Sequence, residues 1–117
     1  MEWTWIDTPE QLADYCDAVD ADLAIDTESD HFFGYRPQCC LIQLGTETDI
    51  ALVDAMALDS DDLEPLVEIC EDPSVEKLLH SAANDILELH RDFGFTFTQV
   101  FDTQIAAQFV GLSLIHI

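Results

Sequence analysis

Three strand-length apolar runs follow one another, and two more alternate with helical patterns. This order constrains the fold more than any other feature of the chain. The runs are Leu23–Glu28 (LAIDTE), Gln38–Gly45 (QCCLIQLG), Asp49–Asp54 (DIALVD), Glu76–Ser81 (EKLLHS) and Thr98–Thr103 (TQVFDT). Between the second and third, Gly45-Thr46-Glu47-Thr48 suits a hairpin turn. Amphipathic stretches fill the gaps. Thr8 is a natural N-cap with Pro9 at the first helical position, and Leu12, Tyr15, Cys16 and Val19 recur at helical spacing. Ser60 is the expected cap of a helix over Asp61–Glu71, which would gather Leu63, Leu66, Val67 and Cys70 on one face. Ala82–Phe93 reads as a helix stopped by Gly94, and Gln104–Val110 opens another. A meander followed by alternating strands and helices predicts an α/β fold: a mixed five-stranded sheet flanked by helices.

A chain of 117 residues holds one domain or part of one. At 49% hydrophobic residues it can bury a core and is not a disordered acidic tail. No apolar run approaches the roughly 18 residues of a membrane span. The acidic start MEWTWIDTPEQL has no basic segment leading into an apolar one, so no secretory signal is read and the cytoplasm is the expected compartment. Cys16, Cys39, Cys40 and Cys70 lack metal-site spacing and are expected to be small buried hydrophobes. Twenty-five acids face three bases, Arg36, Lys77 and Arg91, for a net charge of −22. Taken alone, that balance argues against a polyanionic partner, which Lys and Arg normally hold. The acids can serve as a solvating surface suited to a saline setting, or some of them can hold cations.

The first run ends in LAIDTESD, with Asp26, Glu28 and Asp30 at alternate positions. Alternate strand residues share a face, which sets Asp26 and Glu28 roughly 6–7 Å apart. Carboxylates so close repel, and burying one costs several kcal/mol unless charge compensates. Divalent cations between them would do so. A calcium loop fails: its sixth position needs Gly and its twelfth Glu, but these are His31 and Pro37. Asp85 lies near the start of a helix that follows a strand, and Asp102 ends the fifth strand. Strand ends and the helix starts after them gather in one crevice of an α/β sheet, so separate segments can deliver acids to one place.

The ordered set LAIDTE, PQCCLIQLG, DIALVD, KLLHSAANDI and VFDTQIAA resembles the ribonuclease D family of 3′-to-5′ exonucleases, DEDD-type nucleases with an RNase H-like fold. The resemblance runs from residue 1 to about 111. It implies that Asp26 and Glu28 are the D-x-E acids of the first exonuclease motif and that Asp85 is the acid of the second. Together these would hold two divalent cations, Mg²⁺ or Mn²⁺. His80 and Asn84 flank the second motif as substrate-side contacts, although a simply satisfied strand-end histidine remains open for His80. Thr27 and the Phe32–Phe33 pair fall where the terminal nucleotide would stack, with core packing the alternative for both phenylalanines. Asp102 is not one of the family's metal ligands, and capping of the following helix is its expected role. The implied activity is hydrolysis of terminal phosphodiesters at single-stranded RNA 3′ ends, with tRNA precursors among the substrates. DNA as substrate, a non-catalytic binding relative and an acidic interaction protein are the alternatives. Oligomeric state is not read from the sequence.

The family's third motif, Tyr-x-x-x-Asp, belongs beyond residue 111 and is absent: four residues after Tyr15 stands Val19, and four after Tyr35 stands Cys39. The tail Leu112–Ile117 (LSLIHI) is what CTGTCTCTTATACACATC encodes, a string that resembles the transposase end of DNA-library adapters. Residues 1–111 are therefore expected to be a C-terminally truncated exonuclease domain and 112–117 a non-native tail. Such a piece is expected to be poorly stable and to have little or no activity.

Overall fold

The computed structural model describes residues 2–30 and 38–111. Phe32, Phe33 and the 112–117 tail lie outside the described residues. In chain order the elements are β1 (Glu2–Ile6), α1 (Pro9–Asp17), β2 (Leu23–Asp30), β3 (Gln38–Gly45), β4 (Asp49–Asp54), α2 (Glu64–Glu71), β5 (Lys77–Leu79), α3 (Ala82–Phe93), β6 (Val100–Asp102) and α4 (Thr103–Phe109). The strands form one sheet in the order β1-β4-β3-β2-β5-β6. β2, β3 and β4 pair antiparallel, while β1 joins β4, β5 joins β2 and β6 joins β5 in parallel. The mixed sheet is as expected, but it has six strands, not five. The extra one is β1, whose outward Trp3 and Trp5 hide the apolar-in, polar-out alternation of a half-buried strand.

Local chemistry explains the helix ends. The Gln11 N–H donates to Thr8 Oγ1 (3.3 Å) and the Thr8 N–H donates to Gln11 Oε1 (3.2 Å), a reciprocal capping box for α1. Gly94 ends α3 at φ +76°, a left-handed position that glycine adopts without a Cβ clash. The expected Ser60 cap is not used. Asp59 and Asp62 bond each other's backbone N–H (2.9 and 3.1 Å) in a turn of their own, and α2 starts only at Glu64.

The core lies on one face of the sheet. Ile6, Ile25, Ile42, Leu44, Ala51 and Val53 point inward and meet Leu12 and Cys16 of α1, Leu66 and Cys70 of α2, and Leu89 of α3. Cys16, Cys39 and Cys70 are buried, as expected, and burial pushes each thiol up to about 12. Cys40 departs from that expectation: it is the extra residue where β3 shifts register against β2, and it is only half-buried. Lys77, the one charged side chain fully buried among the described residues, donates its Nζ to Asp72 O (2.7 Å) and Ile69 O (3.3 Å). It thereby satisfies carbonyls at the C-terminal end of α2. Among the described residues the opposite face is open, with Trp3, Trp5, Ile50 and Phe101 exposed. Trp3 stands beside Ile50 and Trp5 beside Leu52 in register, and further along Leu78 stands beside Phe101.

Candidate active site

β2 alternates cleanly up to Glu28. Leu23 and Ile25 are buried and Thr27 is half-buried on the core side, while Ala24, Asp26 and Glu28 are exposed on the open side. A register shift against β3 falls between Glu28 and Ser29. Bulges re-aim side chains. Asp26 and Glu28 thus keep one face, as their spacing predicts, whereas Asp30 lies past the shift and is partly buried. The acids at 26 and 28 sit in the middle of the sheet, on a strand flanked by β3 and β5.

α3 brings its acids to the same strand from the core side. Thr27 Oγ1 donates to Asp85 Oδ1 at 2.6 Å, the Ser29 hydroxyl bonds the Glu88 carboxylate, and the Cys39 N–H donates to Asp92 Oδ2 at 3.0 Å. Residues 85, 88 and 92 follow the i, i+3, i+7 spacing of one helix face, so three rungs lock α3 across β2 and β3. Burial pushes the Asp85 carboxyl up. The Thr27 hydroxyl pulls it down, and the charges of Asp26, Glu88 and Glu28 push it up further. Asp26 and Glu28 are therefore close enough for their charges to act on Asp85, although they occupy the other side of the strand.

The remaining predicted residues divide between two clefts. Thr27, Asn84 and Asp85 line one, together with Leu87, Glu88 and Arg91. Asp26 and His80 line the other, over the open sheet face, with Gln43 and Thr103. His80 Nδ1 is 2.9 Å from Thr103 Oγ1, so the histidine is already partnered. Phe32 lies outside the described residues. Sequence reading missed Glu88 and Arg91. Both face the Asp85 cleft and follow from helical spacing once Asp85 is placed. Of the three bases, Lys77 is buried and Arg36 is outside the described residues, which leaves Arg91 as the exposed base among those described. Arg91 Nε donates to Asp92 Oδ1 at 2.7 Å.

Asp102 caps α4 as expected, accepting the N–H groups of Gln104 (2.9 Å) and Ile105 (3.4 Å). It also accepts the N–H groups of Ser81 (3.0 Å) and Ala82 (2.8 Å) at the start of α3. These bonds, led by that from Ala82, hold its carboxyl below the usual aspartate range.

For a divalent cation the donors fit in kind, since Asp26, Glu28 and Asp85 offer only carboxylate oxygens. In arrangement the set is incomplete. No three His, Cys, Asp or Glu side chains among the described residues stand close enough together to hold one ion.

A mixed sheet in this order, with two acids on one side of a central strand and an acid from the start of the next-but-one helix on its other side, defines the class: an RNase H-like α/β domain of the exonuclease kind. The 3′-5′ exonuclease family model matches residues 3–116, and the chain belongs to that family. Ribonuclease D of Acidiphilium cryptum is 38% identical over 108 residues, covering 91% of this chain and 27% of its own length. Ribonuclease D of Escherichia coli is 38% identical over 113 residues, covering 95% and 30%. The crystal structure of the E. coli protein superposes with a TM-score of 0.87 at 36% identity, covering 97% of this chain and 30% of that one. The catalytic core of Trypanosoma brucei RRP6 gives 0.89 at 28% identity, covering 95% and 31%. The chain thus spans less than a third of the length of each of these relatives.

Proposed function

We propose that this chain carries the phosphodiester-hydrolysing front of a 3′-5′ exoribonuclease, with Asp26, Glu28 and Asp85 as the carboxylates that hold two divalent cations, Mg²⁺ or Mn²⁺. The observation that carries this reading is the crowding of negative charge at Asp85. It is half-buried and feels Asp26, Glu88 and Glu28, and among the described residues the Thr27 hydroxyl offsets them. When bound, divalent cations supply the positive charge at the scissile phosphate that a chain of net charge −22 does not. The chain's own residues do the positioning. Thr27 orients Asp85, and Asn84 and Arg91 line the same cleft with groups able to reach ribose, base or phosphate. His80, held against Thr103, stands beside Asp26 on the substrate side of the open groove.

The substrate we favour is the 3′ end of single-stranded RNA, tRNA precursors included. E. coli RNase D is described as an exoribonuclease involved in structured RNA processing, which supports this choice. DNA is the alternative. The cytoplasm is the proposed compartment, which fits four cysteines that are all unpaired thiols. No helix among the described residues is long and apolar enough to cross a membrane.

Manganese titration by calorimetry tests the metal reading. Asp26→Asn and Glu28→Gln should each weaken binding at least tenfold, and unchanged affinity in both would overturn it. The substrate is tested with 5′-labelled RNA and DNA of one sequence, using the domain joined to a segment that carries Tyr-x-x-x-Asp. Stepwise shortening of RNA is expected, and preference for DNA would favour the alternative.

A further inference from the structure

Four backbone N–H groups from two helix starts converge on one carboxylate, and neither helix accounts for it alone. Ser81, the N-cap of α3, makes no side-chain capping bond and sits at φ 56°, ψ 59°. A non-glycine residue holds that left-handed conformation only where its surroundings enforce it. Here the enforcing groups come from the neighbouring strand. Asp102 stands level with Leu79 in the parallel β5–β6 pair, two residues before Ser81. Its Oδ1 accepts the Ser81 N–H and its Oδ2 the Ala82 N–H, while Oδ1 also serves Gln104 and Ile105 at the start of α4. Smaller contacts close the same seam. Thr103 Oγ1 donates to Leu79 O (3.3 Å), and the Ser81 hydroxyl bonds the Gln104 side chain.

The seam lies at the base of α3, and Asn84 and Asp85 follow within its first turn. The three rungs to β2 and β3 fix the rotation of α3 about its axis. They restrain its sliding along that axis less well, because two of the three are hydroxyl–carboxylate bonds whose donor hydrogens rotate to suit. The two hydrogen bonds that Asp102 accepts from consecutive N–H groups stop that sliding. We propose that Asp102 is a positioning residue for Asp85: by capping α3 from the next strand it sets where the Asp85 carboxylate stands relative to Thr27 and Asp26. This rests on the metal-site reading only for its catalytic consequence. The placement of Asp85 can be measured without any metal.

The test compares Asp102→Asn with Asp72→Ala, which removes a turn cap (Ser74 N–H and hydroxyl to Asp72) remote from Asp85, as a control for plain destabilisation. Asparagine retains one acceptor for α4 but cannot serve Ala82 at the same time. In the 117-residue chain, the side-chain carboxyl ¹³C signal of Asp85 and the amide signals of Thr27 and Ala82 should shift in Asp102→Asn, with β1, α1 and α2 unmoved. They should stay in place in Asp72→Ala. Manganese affinity should fall about tenfold in Asp102→Asn, as for loss of a group that orients a ligand, and should not change in the control. Unmoved Asp85 signals in Asp102→Asn overturn the inference whatever the metal does. Moved signals, with manganese binding indifferent to Asp85→Asn itself, uphold the positioning role and overturn the metal reading instead.

Discussion

Asp85 is the residue at which folding and function pull in opposite directions. Burial and the charges of Asp26, Glu88 and Glu28 raise its pKa above the unfolded value of about 3.9. Folding therefore favours the protonated form. The stability that form contributes is fully present below the unfolded pKa and is lost as pH rises through the folded one. Asn at this position keeps an acceptor for Thr27 and does not titrate. Asp85→Asn should thus melt higher than the parent at neutral pH without metal, and the difference should vanish as pH falls toward 4, read by circular dichroism across pH. A melting point lower than the parent's at pH 7 would show that the charge is already compensated in the folded chain. The placement of Asp85 in the first turn of a helix after a strand was legible in the sequence because that setting is local. The role of Thr27 was not, since its partner lies 58 residues away.

At the scale of elements, β2 and α3 are joined by polar rungs where a sheet and a helix more often meet through apolar side chains. That makes the seam specific and sensitive. Thr27→Val keeps shape and β-branching but removes the hydroxyl, leaving Asp85 half-buried without its donor. Urea unfolding should show a loss of about 1–3 kcal/mol. Repeating the measurement in Asp85→Ala, which removes the acceptor, should shrink that loss, because the two residues act through one bond. Equal losses in both backgrounds would mean that Thr27 acts by packing alone. The same contrast between local and distant information explains which elements the sequence revealed. α1 and α3 carry their own caps or stops in Thr8 and Gly94, and both were legible. β1 was not, because its partner β4 is more than forty residues on and its tryptophans face outward. The start of α2 was misplaced because Asp59 and Asp62 satisfy each other's backbone, a turn that looks like a cap in sequence.

For the whole molecule the decisive balance is between a net charge of −22 and an open apolar sheet face. Trp3 (66% exposed), Trp5 (45%) and Phe101 (44%) lie on that face, where Asp26 and Glu28 also point. Contiguous exposed apolar surface drives association; an aromatic side chain fully covered removes ~150–250 Å² from water, and Trp3 and Trp5 leave roughly half of theirs open. Self-repulsion opposes this at low ionic strength, where the screening length is about 30 Å at 0.01 M, comparable to the molecule's dimensions of 42 × 38 × 26 Å. At 1 M salt that length falls to about 3 Å and the repulsion is confined to contacts, while burial of apolar surface is undiminished. The 117-residue chain should therefore sediment as a monomer in dilute buffer and associate as salt rises, with its tryptophan emission moving to the blue. Trp5→Glu places a charge among the apolar side chains at the β1 edge of that face and should hold the chain monomeric at both extremes. Association strongest at low salt would reverse the argument and point to a charge-driven contact, while a monomer at every salt concentration would mean that this sheet face is too broken by its carboxylates to act as a patch.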